Sequence, residues 1–144
     1  MPRIRWFMLV LGIGILIPAI FRGDIRHALI AFSIGLAYGL LIDFVGTQLI
    51  LLWEYAGHRW VYIMITLPCW GAFSMAINLP WDWIKNPWLA FPIVAIGLFA
   101  CLELPNLKTR SWTYSVPLWL VAIGWIPLVL SFRGIYVLLL HFLN

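Results

Sequence analysis

Long apolar runs alternate along the chain with brief clusters of charged, Gly, Pro and Asn residues. Most of the runs reach the roughly 20 residues that cross a hydrocarbon core of about 30 Å. They predict spans at about 6 to 21, 27 to 53, 60 to 78, 88 to 104 and 112 to 131. The connections are short: Arg22-Gly23-Asp24, Ala56-Gly57-His58-Arg59, Asn78 to Pro87, and Pro105 to Arg110. A last apolar piece, Ile135 to Leu143, follows Arg133-Gly134 and is too short to cross straight. It is expected as a short C-terminal helix at the interface or re-entering against the bundle. The predicted fold class is therefore all-α, an integral membrane helical bundle of about five transmembrane helices in one polytopic domain over residues 1–144.

Composition agrees with the pattern. Hydrophobic residues make up 65% of the chain and charged residues 10%, with a mean hydropathy of +1.02, far from the usual soluble mix. Met1-Pro2-Arg3-Ile4-Arg5 before an apolar segment resembles the start of a signal peptide. No small-x-small cleavage pattern precedes Phe21-Arg22-Gly23-Asp24, so a retained first helix is expected. The formal charge is +4, but the nine Lys and Arg are scattered between apolar segments. They mark membrane edges, and no nucleic-acid partner is expected. The bilayer is the expected partner and the cell membrane the expected location, as a multi-pass protein. An inside N-terminus puts five basic residues inside (Arg3, Arg5, Arg59, Lys108, Arg110) and four outside (Arg22, Arg26, Lys85, Arg133), a small excess in its favour.

Metal and cofactor chemistry find no support. Cys69 and Cys101 lie inside spans without metal-ligand neighbours, and His27, His58 and His141 sit in three separate segments. No phosphate loop or nucleophile elbow is present. Of the ten tryptophans, Trp53, Trp60, Trp81, Trp83, Trp88 and Trp112 sit where spans meet loops, as in an aromatic belt. Trp70, Trp119 and Trp125 fall deeper, where their indole N–H groups need partners or a pocket.

A shift of 59 residues aligns Trp53, Tyr55, Trp60, Pro68 and Phe73 with Trp112, Tyr114, Trp119, Pro127 and Phe132. Asp43 falls one residue short of the register of Glu103. The alignment describes repeats over 28–76 and 87–135, each of two helices, preceded by one extra helix. Such duplications place sites between the halves.

The acids are the chemically interesting positions. As one helix, residues 27 to 53 extend about 40 Å, with Asp43 about three residues from the middle. The eleven-residue step to Glu54 then puts both acids on the face of Gly39 and Thr47, pointing into the bundle. A carboxylic acid at that depth pairs, faces a wet cavity or stays protonated, which makes Asp43 a candidate functional residue. The structural alternative is Asp43 as helix glue, with Gly35 and Gly39 allowing close approach. Glu54 at a helix end beside His58 and Arg59 reads as an interfacial ion pair. Glu103, before Leu104-Pro105, is the second half's counterpart of Asp43, near a boundary where solvation is easy.

At Asp43, Trp53, Tyr55 and Leu67-Pro68 the chain resembles the small membrane-embedded lycopene cyclase domains of carotenoid biosynthesis, which carry Asp, then W-x-Y, then Leu-Pro. The resemblance covers residues 28 to 76, and those domains also occur as paired similar units. Cys69-Trp70-Gly71 stand where that family carries paired glutamates. The resemblance implies an isomerase that cyclises a polyene or isoprenoid. Such chemistry needs a protonated acid in a dry pocket and aromatic faces for the carbocation. Asp43 is then the proton-donor candidate and Glu54 and Glu103 further acids, with Trp53, Tyr55, Trp70, Tyr114 and Trp119 against an isoprenoid or pigment ligand. Two other classes compete: a non-catalytic accessory subunit packing against partner proteins or a second copy, and a small proton-linked transporter in which Asp43 titrates and Pro68 and Pro127 break helices. An aromatic-lined cavity at Asp43 favours the first reading; Asp43 facing another chain favours the accessory one.

Overall fold

A computed structural model describes residues 3–55 and 59–143, with side chains over 6–55 and 66–143. The pairing expected of Glu54 with His58 and Arg59, and the belt position of Trp60, lie outside the described residues and side chains. The chain forms helices α1 (Arg3–Arg22), α2 (Ile25–Phe44), α3 (Arg59–Ile84), α4 (Pro87–Thr109) and α5 (Leu118–Leu143). A π-helical turn, Val45–Leu49, extends α2, and two short strands, β1 (Trp53–Tyr55) and β2 (Trp112–Tyr114), precede α3 and α5.

The turns follow from local chemistry. Gly23 ends α1 at φ +76°, where the N–H groups of Gly23 and Asp24 satisfy the carbonyls of Ile20 and Ala19. Asn86 caps α4 by accepting from the Trp88 N–H at 3.0 Å, and Pro87 sits where its missing N–H costs nothing. Ile25–Leu49, α4 and α5 are long and apolar enough to cross a membrane. Their outer faces carry side chains such as Leu29, Ile96 and Leu138, all more than half exposed. Water does not tolerate so continuous an apolar exterior, so the protein is a membrane protein.

Helix α3 is the centre of the bundle and packs against each of the other helices. Residues 71–79 are buried on every side, a mostly apolar stretch surrounded by other helices, with the Asn78 amide donating to the Ser74 carbonyl one turn back. Its tightest neighbour is α2. A Cβ built on Gly35 would lie 2.2 Å from the Trp70 carbonyl oxygen and 2.5 Å from Gly71 Cα, so the two backbones touch.

The element boundaries correct several expectations. Residues 27 to 53 are not one helix: α2 ends at Phe44, the π turn follows, and Trp53 begins a strand. The fifth helix starts at Leu118, because Trp112–Tyr114 is strand. Helix α3 continues through Pro80 to Ile84, and α4 through Pro105 to Thr109, where connections were expected. Ile135 to Leu143 is not a separate short helix; it continues α5 without a break. Arg133 does not break that helix because α3 supplies its counter-charge. Asp82 pairs with Arg133 at 2.7 Å and accepts from the Tyr136 hydroxyl at 2.9 Å, and the guanidinium lies over the Trp81 ring. At the same end, Asp24 accepts from the Trp83 indole at 3.1 Å and lies 3.6 Å from Arg22, tying the α1–α2 turn to α3.

Candidate functional site

The strands β1 and β2 pair antiparallel in the register Trp53↔Tyr114, Glu54↔Thr113 and Tyr55↔Trp112. Strand side chains alternate in direction, so the central pair points one way and the flanking aromatic pairs the other. Glu54 and Thr113 are exposed, whereas Trp53, Tyr55, Trp112 and Tyr114 are half-buried and line a cavity of about 820 Å³. The repeated W-x-Y is thus the period of two of a strand. Glu54 does not share an inward face with Asp43, and it lies outside the cavity wall.

Each tyrosine reaches back to an acid on the preceding helix. The Tyr55 hydroxyl donates to Asp43 Oδ1, and the Tyr114 hydroxyl donates to Glu103 Oε1 at 2.6 Å. The acid-to-tyrosine separations differ by one residue, twelve against eleven. A π turn accommodates one extra residue, and one lies in the first half at Val45–Leu49 with no counterpart in α4. The approach to each strand is otherwise alike: Leu51 (φ 49°) and Arg110 (φ 47°), 59 residues apart, take the same left-handed conformation two residues before Trp53 and Trp112. Gly46 in the π turn makes room for the Trp53 ring, since a Cβ there would lie 2.0 Å from it.

The two acids are not equally placed. Asp43, in the last turn of α2, is half-buried and stands behind Tyr55 rather than in the cavity wall; its own carbonyl accepts from the Thr47 hydroxyl at 2.7 Å. It lies six residues from the end of the Ile25–Leu49 segment, closer to the hairpin end than a 27–53 helix implies. Glu103 is in the wall and only 1% exposed, with Trp125 donating its indole N–H to Oε1 at 3.2 Å. Solvation at a boundary does not describe Glu103, because its side chain is almost fully shielded from solvent. The Trp112 indole donates to the Tyr114 hydroxyl at 2.9 Å, completing a chain from Trp112 through Tyr114 to Glu103. Burial above all pushes the Tyr114 phenol above its ordinary range.

The rings sort by depth. Trp70 lines the cavity, stacked on Phe132 at 5.9 Å and edge-on to Phe73 at 5.4 Å. Trp119 points away, 62% exposed, because α5 turns that face outward. Among the tryptophans placed at span ends, Trp88 is 87% exposed, whereas Trp53 and Trp112 face the cavity and Trp81 is buried. Trp125 is the site residue that the sequence left unassigned; its depth was visible, its partner Glu103 was not. Among the described residues no group of three His, Cys, Asp or Glu is arranged to hold a metal ion.

Comparison with protein families, curated proteins and solved structures finds no match to this chain. The chemistry of the site therefore rests on its own geometry: an apolar, aromatic-walled cavity carrying two carboxyl–phenol pairs, one of them deeply buried.

Proposed function

We propose that the protein is a multi-pass protein of the cell membrane, with about five spans, that holds a polyene or isoprenoid lipid in the cavity and has the residues for its acid-catalysed cyclisation. The observation that carries this reading is Glu103: a carboxyl group 1% exposed, in the wall of an apolar cavity, fixed by Tyr114 and Trp125. Glu103 rather than Asp43 is the proton donor, and the role requires it to hold its proton in the resting site. Transfer of that proton to a double bond forms a carbon–hydrogen bond and leaves a carbocation, which the faces of Trp53, Tyr55, Trp70 and Tyr114 stabilise. A second double bond closes the ring. Loss of a proton from the cyclised cation to the Glu103 carboxylate restores the acid, so the net change is an isomerisation. Asp43 with Tyr55 holds the opposite strand in place.

The resemblance to lycopene cyclase domains supports this reading through Asp43, Trp53, Tyr55 and Leu67-Pro68, and the chain departs from that family after the proline. Cys69 and Trp70, at the positions of that family's glutamates, both line the cavity, and here the acid in the wall comes from α4 instead. The hairpin end carries Lys108 and Arg110 with Arg3, Arg5 and Arg59, which favours that end as the inside face. The test supplies lycopene or, separately, the isoprenoid alcohol geranylgeraniol to membranes containing the native protein, Glu103→Gln or Asp43→Asn, with products resolved by chromatography and mass spectrometry. A cyclised product is expected from the native protein, with loss in Glu103→Gln and partial retention in Asp43→Asn. Identical product profiles in all three would sink the proposal.

A further inference from the structure

Three buried side-chain atoms in residues lining the cavity have no hydrogen-bond partner among the described residues: Thr66 Oγ1, Trp70 Nε1 and Glu103 Oε2. A buried polar group without a partner is destabilising and rare, so several in the wall of one cavity mark places where a partner belongs. Thr66 and Trp70 are four residues apart on α3, hence one turn apart on one face. The indole N–H can only donate, and the hydroxyl can donate beside it.

The Trp70 ring is held in its place by its neighbours among the described residues. Its ring is stacked on Phe132 and met edge-on by Phe73. Its stem presses on α2, where a Cβ on Gly39 would lie 2.4 Å from Trp70 Cγ. The partner must come to the ring, and a hydrocarbon offers none.

We propose that the lipid held in this cavity is an oxygenated isoprenoid, whose hydroxyl or carbonyl oxygen accepts from the Trp70 indole N–H, with the Thr66 hydroxyl as second donor. The inference rests on the reading of the cavity as an isoprenoid site and adds the polar group that reading lacks. The apolar chain of the ligand lies against the aromatic wall. A cavity of about 820 Å³ is of the size that ligand pockets commonly have.

The test titrates the full chain in detergent micelles with geranylgeraniol, an isoprenoid alcohol, and with squalene, an isoprenoid hydrocarbon, and reads binding by native mass spectrometry. Geranylgeraniol is expected to bind tighter than squalene. Thr66→Val, which keeps the side-chain shape, and Trp70→Phe are each expected to weaken geranylgeraniol by roughly tenfold, and Thr66→Val, which removes only the hydroxyl, to leave squalene unchanged. Thr66→Val serves alone if Trp70→Phe does not fold. Equal binding of the two lipids, or geranylgeraniol binding that neither variant weakens, overturns the oxygen assignment and leaves the isoprenoid reading standing. Binding of neither lipid overturns both.

Discussion

Replacement of Gly35 by Ala tests the contact on which the cavity wall depends. The new Cβ would lie 2.2 Å from the Trp70 carbonyl oxygen, 2.5 Å from Gly71 Cα and 2.6 Å from the Trp70 carbonyl carbon. Non-bonded heavy atoms settle at about 3.5 Å or more, so α2 and α3 must separate by about 1 Å. Overpacking costs about 1–3 kcal/mol, and with backbone on both sides of the clash the upper end applies. Ala is favoured over Gly inside a helix by about 1 kcal/mol, which offsets part of that. The net expectation is a loss of about 2 kcal/mol. Gly97→Ala is the control: nothing lies within 4 Å of a Cβ there, so only the helical gain of about 1 kcal/mol operates. Unfolding of the purified variants in mixed micelles with increasing sodium dodecyl sulfate, followed by circular dichroism, should separate them by about 3 kcal/mol. Equal stability of Gly35→Ala and Gly97→Ala would refute the backbone contact. It would also remove the reason why Cys69 and Trp70, next to that contact, hold their place in the cavity wall.

Three further outcomes follow from other parts of the structure. Tyr114 holds its proton more tightly in the folded protein than the ordinary phenol value of about 10, so the folded state binds more protons above that pH. Its contribution to stability is complete below about pH 10 and is lost as pH rises toward the raised folded value; Tyr114→Phe should flatten this alkaline decline in thermal unfolding. Asp82→Asn removes the counter-charge of the half-buried Arg133 and weakens the tie between α3 and α5. A loss of about 1–3 kcal/mol in the same micelle assay is expected, and none if the pair contributes nothing. Trp119→Phe should leave lipid binding and stability within about 0.5 kcal/mol of native, because the ring faces outward. A larger loss of binding would place that ring in the site.

The apolar runs were readable because membrane spanning is a property of length and hydropathy alone, and the Gly35/Gly39 spacing announced the close approach of α2 that the structure contains. The depth of Glu103 is hidden in the sequence because Pro105 signals a helix end there, whereas α4 continues to Thr109. A proline inside a helix gives up one backbone bond, here to the Cys101 carbonyl, and surrounding helices make that tolerable. The hairpin was hidden for a different reason. Three-residue strands carry no hydropathy signal, and W-x-Y read as helix puts its two aromatics on different faces. The signal lay in the repetition: a period of two, given twice at the same separation, each time following an acid. The misfit of one residue between Asp43 and Glu103 falls beside the π turn that absorbs one residue. With that residue removed, both halves deliver an acid and a tyrosine to the same ladder. They differ in burial, and that difference, which only packing decides, moves the candidate proton donor from Asp43 to Glu103.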